Sequence, residues 1–182
     1  MDLQRVHDLE GGGYRTSSQL EREYAIKGVR NPLLFSSTVG PFVRQAWANR
    51  KENPVAADFM LLTLLWGMRG DESSTFKWRD ELTAAQALVD RWIDLDMRVA
   101  FIADAKNRGD HEFPIAPCAA EILKRRRADQ IGGEVLVFPA RSANSSKGQY
   151  SDATVAMSTV KQRAGIAVVR GHDLRRTFGG AC

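Results

Sequence analysis

Only two cysteines, Cys118 and Cys182, occur in the 182 residues of the chain. Two thiols so far apart supply neither the disulfide framework of a small secreted domain nor the paired-cysteine knuckle of a structural zinc site. A reducing, intracellular setting is the expectation. Long apolar runs are also missing. The longest, Phe59 to Met68, is interrupted by Thr63 and Gly67 and bounded by Asp58 and Arg69, far short of the roughly 20 apolar residues that a bilayer span needs. It should be a core helix, with no membrane partner. No charged segment followed by an apolar one opens the chain, so no secretory signal is legible. Tyrosine is scarce as well: Tyr14, Tyr24 and Tyr150 are the three, and none follows Tyr150.

What is present supports a folded, anion-seeking domain. A hydrophobic content of 43% in a chain of this length can bury a real core, which excludes disorder as a global description. The formal net charge of +4 is unevenly spread. Residues 1–104 carry 13 Lys/Arg against 15 Asp/Glu, whereas residues 105–182 carry 13 against 7. A basic half favours a polyanionic partner, because clustered cations release counterions from a phosphate backbone. A merely solvated basic surface explains the charge equally well.

Gly11-Gly12-Gly13 separates a polar N-terminal piece from a helix expected over 18–27, ended by Gly28 and Asn31-Pro32. A second helix is expected from Val39 to Lys51. Asn53-Pro54 is a sharper signal: Asn as N-cap, Pro in the first turn, then an apolar run through Trp66 that implies a central, buried helix. Between Trp92 and Ile115 the pattern becomes extended, and Val99–Ile102 and Glu112–Ile115 flank a turn-rich Lys106-Asn107-Arg108-Gly109-Asp110. That pattern predicts a β-hairpin with a basic tip. Helices follow from Pro117 to Arg127 and from Asp152 to Arg163, with Ser151 as cap, Gly165 as stop and a flexible loop over 143–148 between them.

Two stretches concentrate chemistry: Gly67-Met68-Arg69-Gly70-Asp71-Glu72 behind the apolar helix, and Gly171-His172-Asp173-Leu174-Arg175-Arg176-Thr177-Phe178. Two arginines can clamp one phosphate, since guanidinium forks match its oxygens and stay charged at any relevant pH. Arg69 and Arg175 are the candidates, with Glu72 as the carboxylate that answers Arg69, an arginine costly to desolvate at the end of a buried helix. His172 and Arg175, three apart, share one face if their segment is helical, and an imidazole there can exchange a proton or donate to a phosphate oxygen. Lys106 at the hairpin tip is placed to reach a DNA groove. Taken singly, each signal also fits a surface ion pair, a helix-dipole partner or a solvated turn lysine.

Together, in this order, the two boxes resemble those of the tyrosine recombinases, the phage-integrase-type enzymes. The leucine-rich helix leading into Gly67-Met68-Arg69, with Glu72 three positions on, is similar to the family's first box. Phe76-Lys77-Trp78-Arg79-Asp80 resembles its L-x-W-x-D, the segment with Lys106 looks like the hairpin bearing the family lysine, and Gly171–Phe178 is similar to the second box. The resemblance implies an α+β, mainly α fold, a helical catalytic domain with a small antiparallel sheet. It implies cleavage and rejoining of double-stranded DNA through a 3′-phosphotyrosine intermediate, without metal, ATP or other cofactor. Self-association on DNA and a cytoplasmic, DNA-associated protein of bacterial or phage origin are further implications. Residues 1–31 would be a tail plus the last helix of a core-binding domain, and 32–182 a catalytic domain cut before its nucleophile. Arg69 and Arg175 would hold the scissile phosphate, Lys106 and His172 would handle protons, and Glu72 would position Arg69.

The sequence departs from the family pattern in three places. Residues 83–91 look inserted, so that Trp92-Ile93-Asp94 competes with Trp78-Arg79-Asp80. Most of the N-terminal clamp domain is missing. No tyrosine stands downstream of Arg175, and Tyr14, Tyr24 and Tyr150 all precede the second box, where packing or surface roles are expected of them. The expectation is therefore a fragment incapable of cleavage alone. The alternatives are a DNA-binding remnant without chemistry and a basic helical interaction domain whose boxes arise by chance.

Overall fold

The computed structural model describes residues 37–103, 109–130, 132–140, 148–150 and 153–179. The expected helix over 18–27, Lys106, residues 143–147 of the loop, and Ser151 lie outside the described residues, as do Tyr14, Tyr24 and Cys182.

Helix α1 (Val39–Ala48) continues into a 3-10 turn, Asn49–Lys51. Helix α2 (Pro54–Trp66) starts where the Asn-Pro signal puts it: Asn53 Oδ1 accepts from the Ala56 N–H at 3.4 Å, and Pro54 costs no hydrogen bond in the first turn. Every residue from Ala56 to Leu64 is buried. A helix apolar on all sides needs neighbours on all sides. Helices α1, α5 (Pro117–Ala128), α6 (Thr154–Arg163) and α7 (Gly171–Gly179) supply them. The one charge inside α2, Asp58, is fully buried and accepts from Arg50 Nε at 2.6 Å. Burial pushes its carboxyl up against the pull of Arg50.

Two short helices, α3 (Gly70–Ser74) and α4 (Ala84–Ala87), frame the entry to a four-stranded sheet in the order β1-β2-β3-β4. The strands are β1 (Lys77–Trp78), β2 (Trp92–Asp94), β3 (Val99–Ile102) and β4 (His111–Pro114). β2, β3 and β4 form the expected antiparallel part, with Val99 opposite Pro114 and Ile102 opposite His111. β1 joins parallel to β2, so the sheet is mixed. This also explains the two competing Trp motifs: Trp78 pairs with Ile93 and Lys77 with Trp92 on adjacent strands, and the 83–91 excursion is the crossover that a parallel pair requires. Trp78 is the buried anchor. Its indole N–H donates to Gln130 Oε1 at 2.6 Å, and Arg127 stacks on its ring while pairing with Asp80 at 2.8 Å.

Two expectations need correction. Helix α6 begins at Thr154 after Ala153, not at Asp152, and Ala153 makes no side-chain cap. Arg69 does not end the apolar helix; Gly67, at φ +62°, ends it in a left-handed turn that throws Arg69 outward.

Candidate phosphate-binding site

Arg69 sits immediately before α3, with 56% of its side chain accessible. The expected cost of desolvating it therefore does not arise. Glu72, in the third position of α3, reaches back: Oε2 accepts from the Arg69 backbone N–H at 2.8 Å and Oε1 from Arg69 Nη1 at 3.1 Å. The first contact satisfies one of the orphan donors at the start of this short helix. From below, Ser73 and Thr63, both buried, meet hydroxyl to hydroxyl at 3.3 Å and tie α3 to α2.

The second box is the helix expected of it, α7. Asp173, buried, caps it by accepting from the Arg170 N–H at 2.8 Å, and Leu174 and Thr177 anchor its inner face in the core. The tandem arginines then diverge. Arg176 turns toward Asp173 at 3.8 Å, whereas Arg175 Nη1 reaches Glu72 Oε2 at 3.4 Å across 103 positions of sequence.

Arg69 and Arg175 thus flank one carboxylate, each spending one Nη1 on it. Most of each guanidinium's donors remain for an anion. Burial pushes the Glu72 carboxyl up, but the Arg69 N–H and guanidinium and the charge of Arg175 outweigh it and hold the group below its ordinary range. His172 is exposed in the first turn of α7, one turn before Arg175. Its imidazole makes no hydrogen bond to the described residues, while Lys106 lies outside them.

α7 is seated by a contact that the sequence analysis did not single out. A methyl group built on Gly67 would lie 2.2 Å from Phe178 Cδ1, 2.6 Å from Cγ and 2.9 Å from Cβ, so the ring rests directly on the glycine backbone. The signal was available, since Phe178 is three residues from Arg175 and on its side of the helix. Tyr150, by contrast, is buried, with its ring edge-on to Phe59 at 5.3 Å. It is a core residue. A cavity of about 470 Å³ is lined by Asp80, Asp94 and Asp96 as well as Arg79 and Arg127, where carboxylates outnumber guanidinium groups. Among the described residues no helix is long and apolar enough to cross a membrane.

In comparison with known proteins, residues 47–181 match the Phage integrase family. No curated protein and no solved structure matches significantly. The match spans both arginine boxes, the sheet and the helices between them, which removes the chance-motif reading. The chain belongs to the phage integrase family, whose shared work is site-specific DNA recombination.

Proposed function

We propose that this domain grips the scissile phosphate of duplex DNA between Arg69 and Arg175, and that the attacking phenol comes from outside residues 1–182. The observation that carries the reading is the shared carboxylate: Glu72 accepts from both guanidinium groups, each of which spends one Nη1 on it among the described residues. Pre-aligned cations of this kind stabilise charge that develops on the non-bridging oxygens during transfer, and they need no reorganisation at that moment. Glu72 orients both arginines. His172, one helical turn from Arg175, donates to a phosphate oxygen or relays a proton, and Lys106 protonates the leaving 5′ oxygen.

A clamp stabilises a transition state but does not supply the attacking atom. Tyr150 cannot serve from the core, and Tyr14 and Tyr24 precede the catalytic domain in sequence. The chain should accordingly form no covalent adduct with a randomised pool of nicked suicide duplexes. A downstream tyrosine-bearing segment, fused or supplied by a second subunit, should restore trapping, and Arg175→Ala should abolish it. Trapping by residues 1–182 alone, mapped to any of its three tyrosines, would refute this reading.

Binding tests the clamp separately. If four to six phosphates are contacted, log affinity should fall with log salt at a slope of about −4 to −5, and Arg69→Ala should lower the slope by about 1. Binding that ignores salt would sink the DNA-clamp reading.

A further inference from the structure

We propose that Phe178 is a positioning residue for the arginine pair: its ring, seated on the bare backbone of Gly67, sets the distance between Arg69 and Arg175. The proposal rests on the phosphate-clamp reading and deepens it. Gly67 stands two residues before Arg69, and Phe178 stands three residues after Arg175. The ring contact and the Glu72 bridge therefore close one loop, Gly67 to Arg69 to Glu72 to Arg175 to Phe178 and back.

The two halves of that loop are unequal. The Glu72 bridge joins side chains that are 56% and 37% accessible on the arginine side, and exposed ion pairs of this kind hold a geometry only weakly. It is also the half whose guanidinium charge a bound phosphate would share. The ring contact is apolar and carries no charge for a phosphate to share. Three ring-side carbons of Phe178 lie where a Cβ on Gly67 would stand, an approach that no other residue at position 67 permits, and the left-handed turn at φ +62° disfavours any side chain there as well. The glycine thus serves two purposes: it ends α2, and it provides the flat seat that brings α7 close enough for Arg175 to meet Glu72.

Phe178 is itself 37% exposed at the outer end of α7, so it sits at the margin of the core. Leu174 and Thr177, at 1% and 0%, are the fully buried anchors of the helix. A ring at the margin of the core and yet pressed on the backbone two residues from Arg69 is placed to act on geometry.

The test is a titration with inorganic phosphate, read by the guanidinium Nε resonances of Arg69 and Arg175, each assigned by its own alanine variant. In the wild-type chain both should move with one shared midpoint. In Phe178→Ala the shared midpoint should split and the Arg175 response weaken by about tenfold, as the loss of one charge-assisted contact to the anion predicts. Phe178→Tyr keeps the ring and should restore the shared midpoint, which a purely structural role would not require. If Phe178→Ala fails to fold, Phe178→Leu, which keeps the apolar bulk and loses the flat ring, carries the comparison and should also split. Two resonances that still move together at the wild-type midpoint in the alanine or leucine variant would overturn the positioning role and leave the clamp standing. Wild-type resonances that ignore phosphate would sink the clamp, and this role with it.

Discussion

Replacing Glu72 by Gln separates the charge of this carboxylate from its capping geometry. The amide oxygen can still accept from the Arg69 N–H, so the bond now at 2.8 Å survives, while the contacts to Arg69 Nη1 at 3.1 Å and Arg175 Nη1 at 3.4 Å lose their charge. Both guanidinium groups are more than a third accessible, so each pair is discounted to the lower part of the exposed range, a few tenths of a kcal/mol. Glu72→Gln should cost about 0.5–1 kcal/mol at pH 7. Glu72→Ala loses the cap in addition and should cost about 1–2 kcal/mol more. For a domain of this size the glutamine variant would melt about 1–4 °C lower. The pH dependence gives the sharper check. The Glu72 carboxyl is held below its ordinary value of 4.5, so its contribution is present above that value and disappears as pH falls through the lowered folded-state one. Thermal melts of the two proteins should differ at pH 7 and converge below pH 4.5. A gap that is unchanged across that window would refute the claim that the ionised carboxylate holds the arginine pair.

Gly67→Ala forces a side chain into a left-handed turn, at about 1–2 kcal/mol, and collides with Phe178; denaturant melts should show a total loss of about 2–4 kcal/mol. Asp58→Ala leaves the part-buried Arg50 without its partner and should cost about 3–5 kcal/mol in the same melts. Arg175→Ala should weaken duplex binding and lower its salt slope by about 1, whereas Arg176→Ala, whose side chain faces Asp173, should leave the phosphate-induced shift of Arg69 unchanged. Equal effects from the two arginines would show that α7 does not discriminate between them.

The features legible in the sequence were those set by local rules. Asn53-Pro54 marks a helix start, Gly165 a stop and Val99–Ile102 a hairpin strand, because each depends on backbone preferences that neighbouring residues reveal. The arginine boxes were legible for another reason, since their order and spacing match a family. The remaining features depend on partners remote in sequence. The parallel β1 is two residues long and acquires its direction from β2 and from the Lys77–Leu136 bridge. Helix α3 is far too short to stand alone and exists because Glu72 reaches back to Arg69 and Ser73 meets Thr63. Asp58 reads as an interruption of an apolar helix until Arg50 is brought to it. The residues that hold the site, Thr63, Ser73, Asp173 and Phe178, look ordinary in one dimension, because each acts through a contact that only the packed chain creates.

The burial of α2 over nine consecutive residues has a consequence for when the site comes into being. A helix without a polar face has no stable half-dressed state in water: until α1, α5, α6 and α7 have all closed on it, it exposes apolar surface in some direction. Formation of the domain should therefore be all-or-none around this rod, and the arginine pair at its C-terminal end should appear in the same step as the core. Solvent exchange at the amides of α2 would then proceed only by global opening. The backbone that carries both boxes thus forms together with the core, while the accessible guanidinium ends of Arg69 and Arg175 keep a freedom of their own.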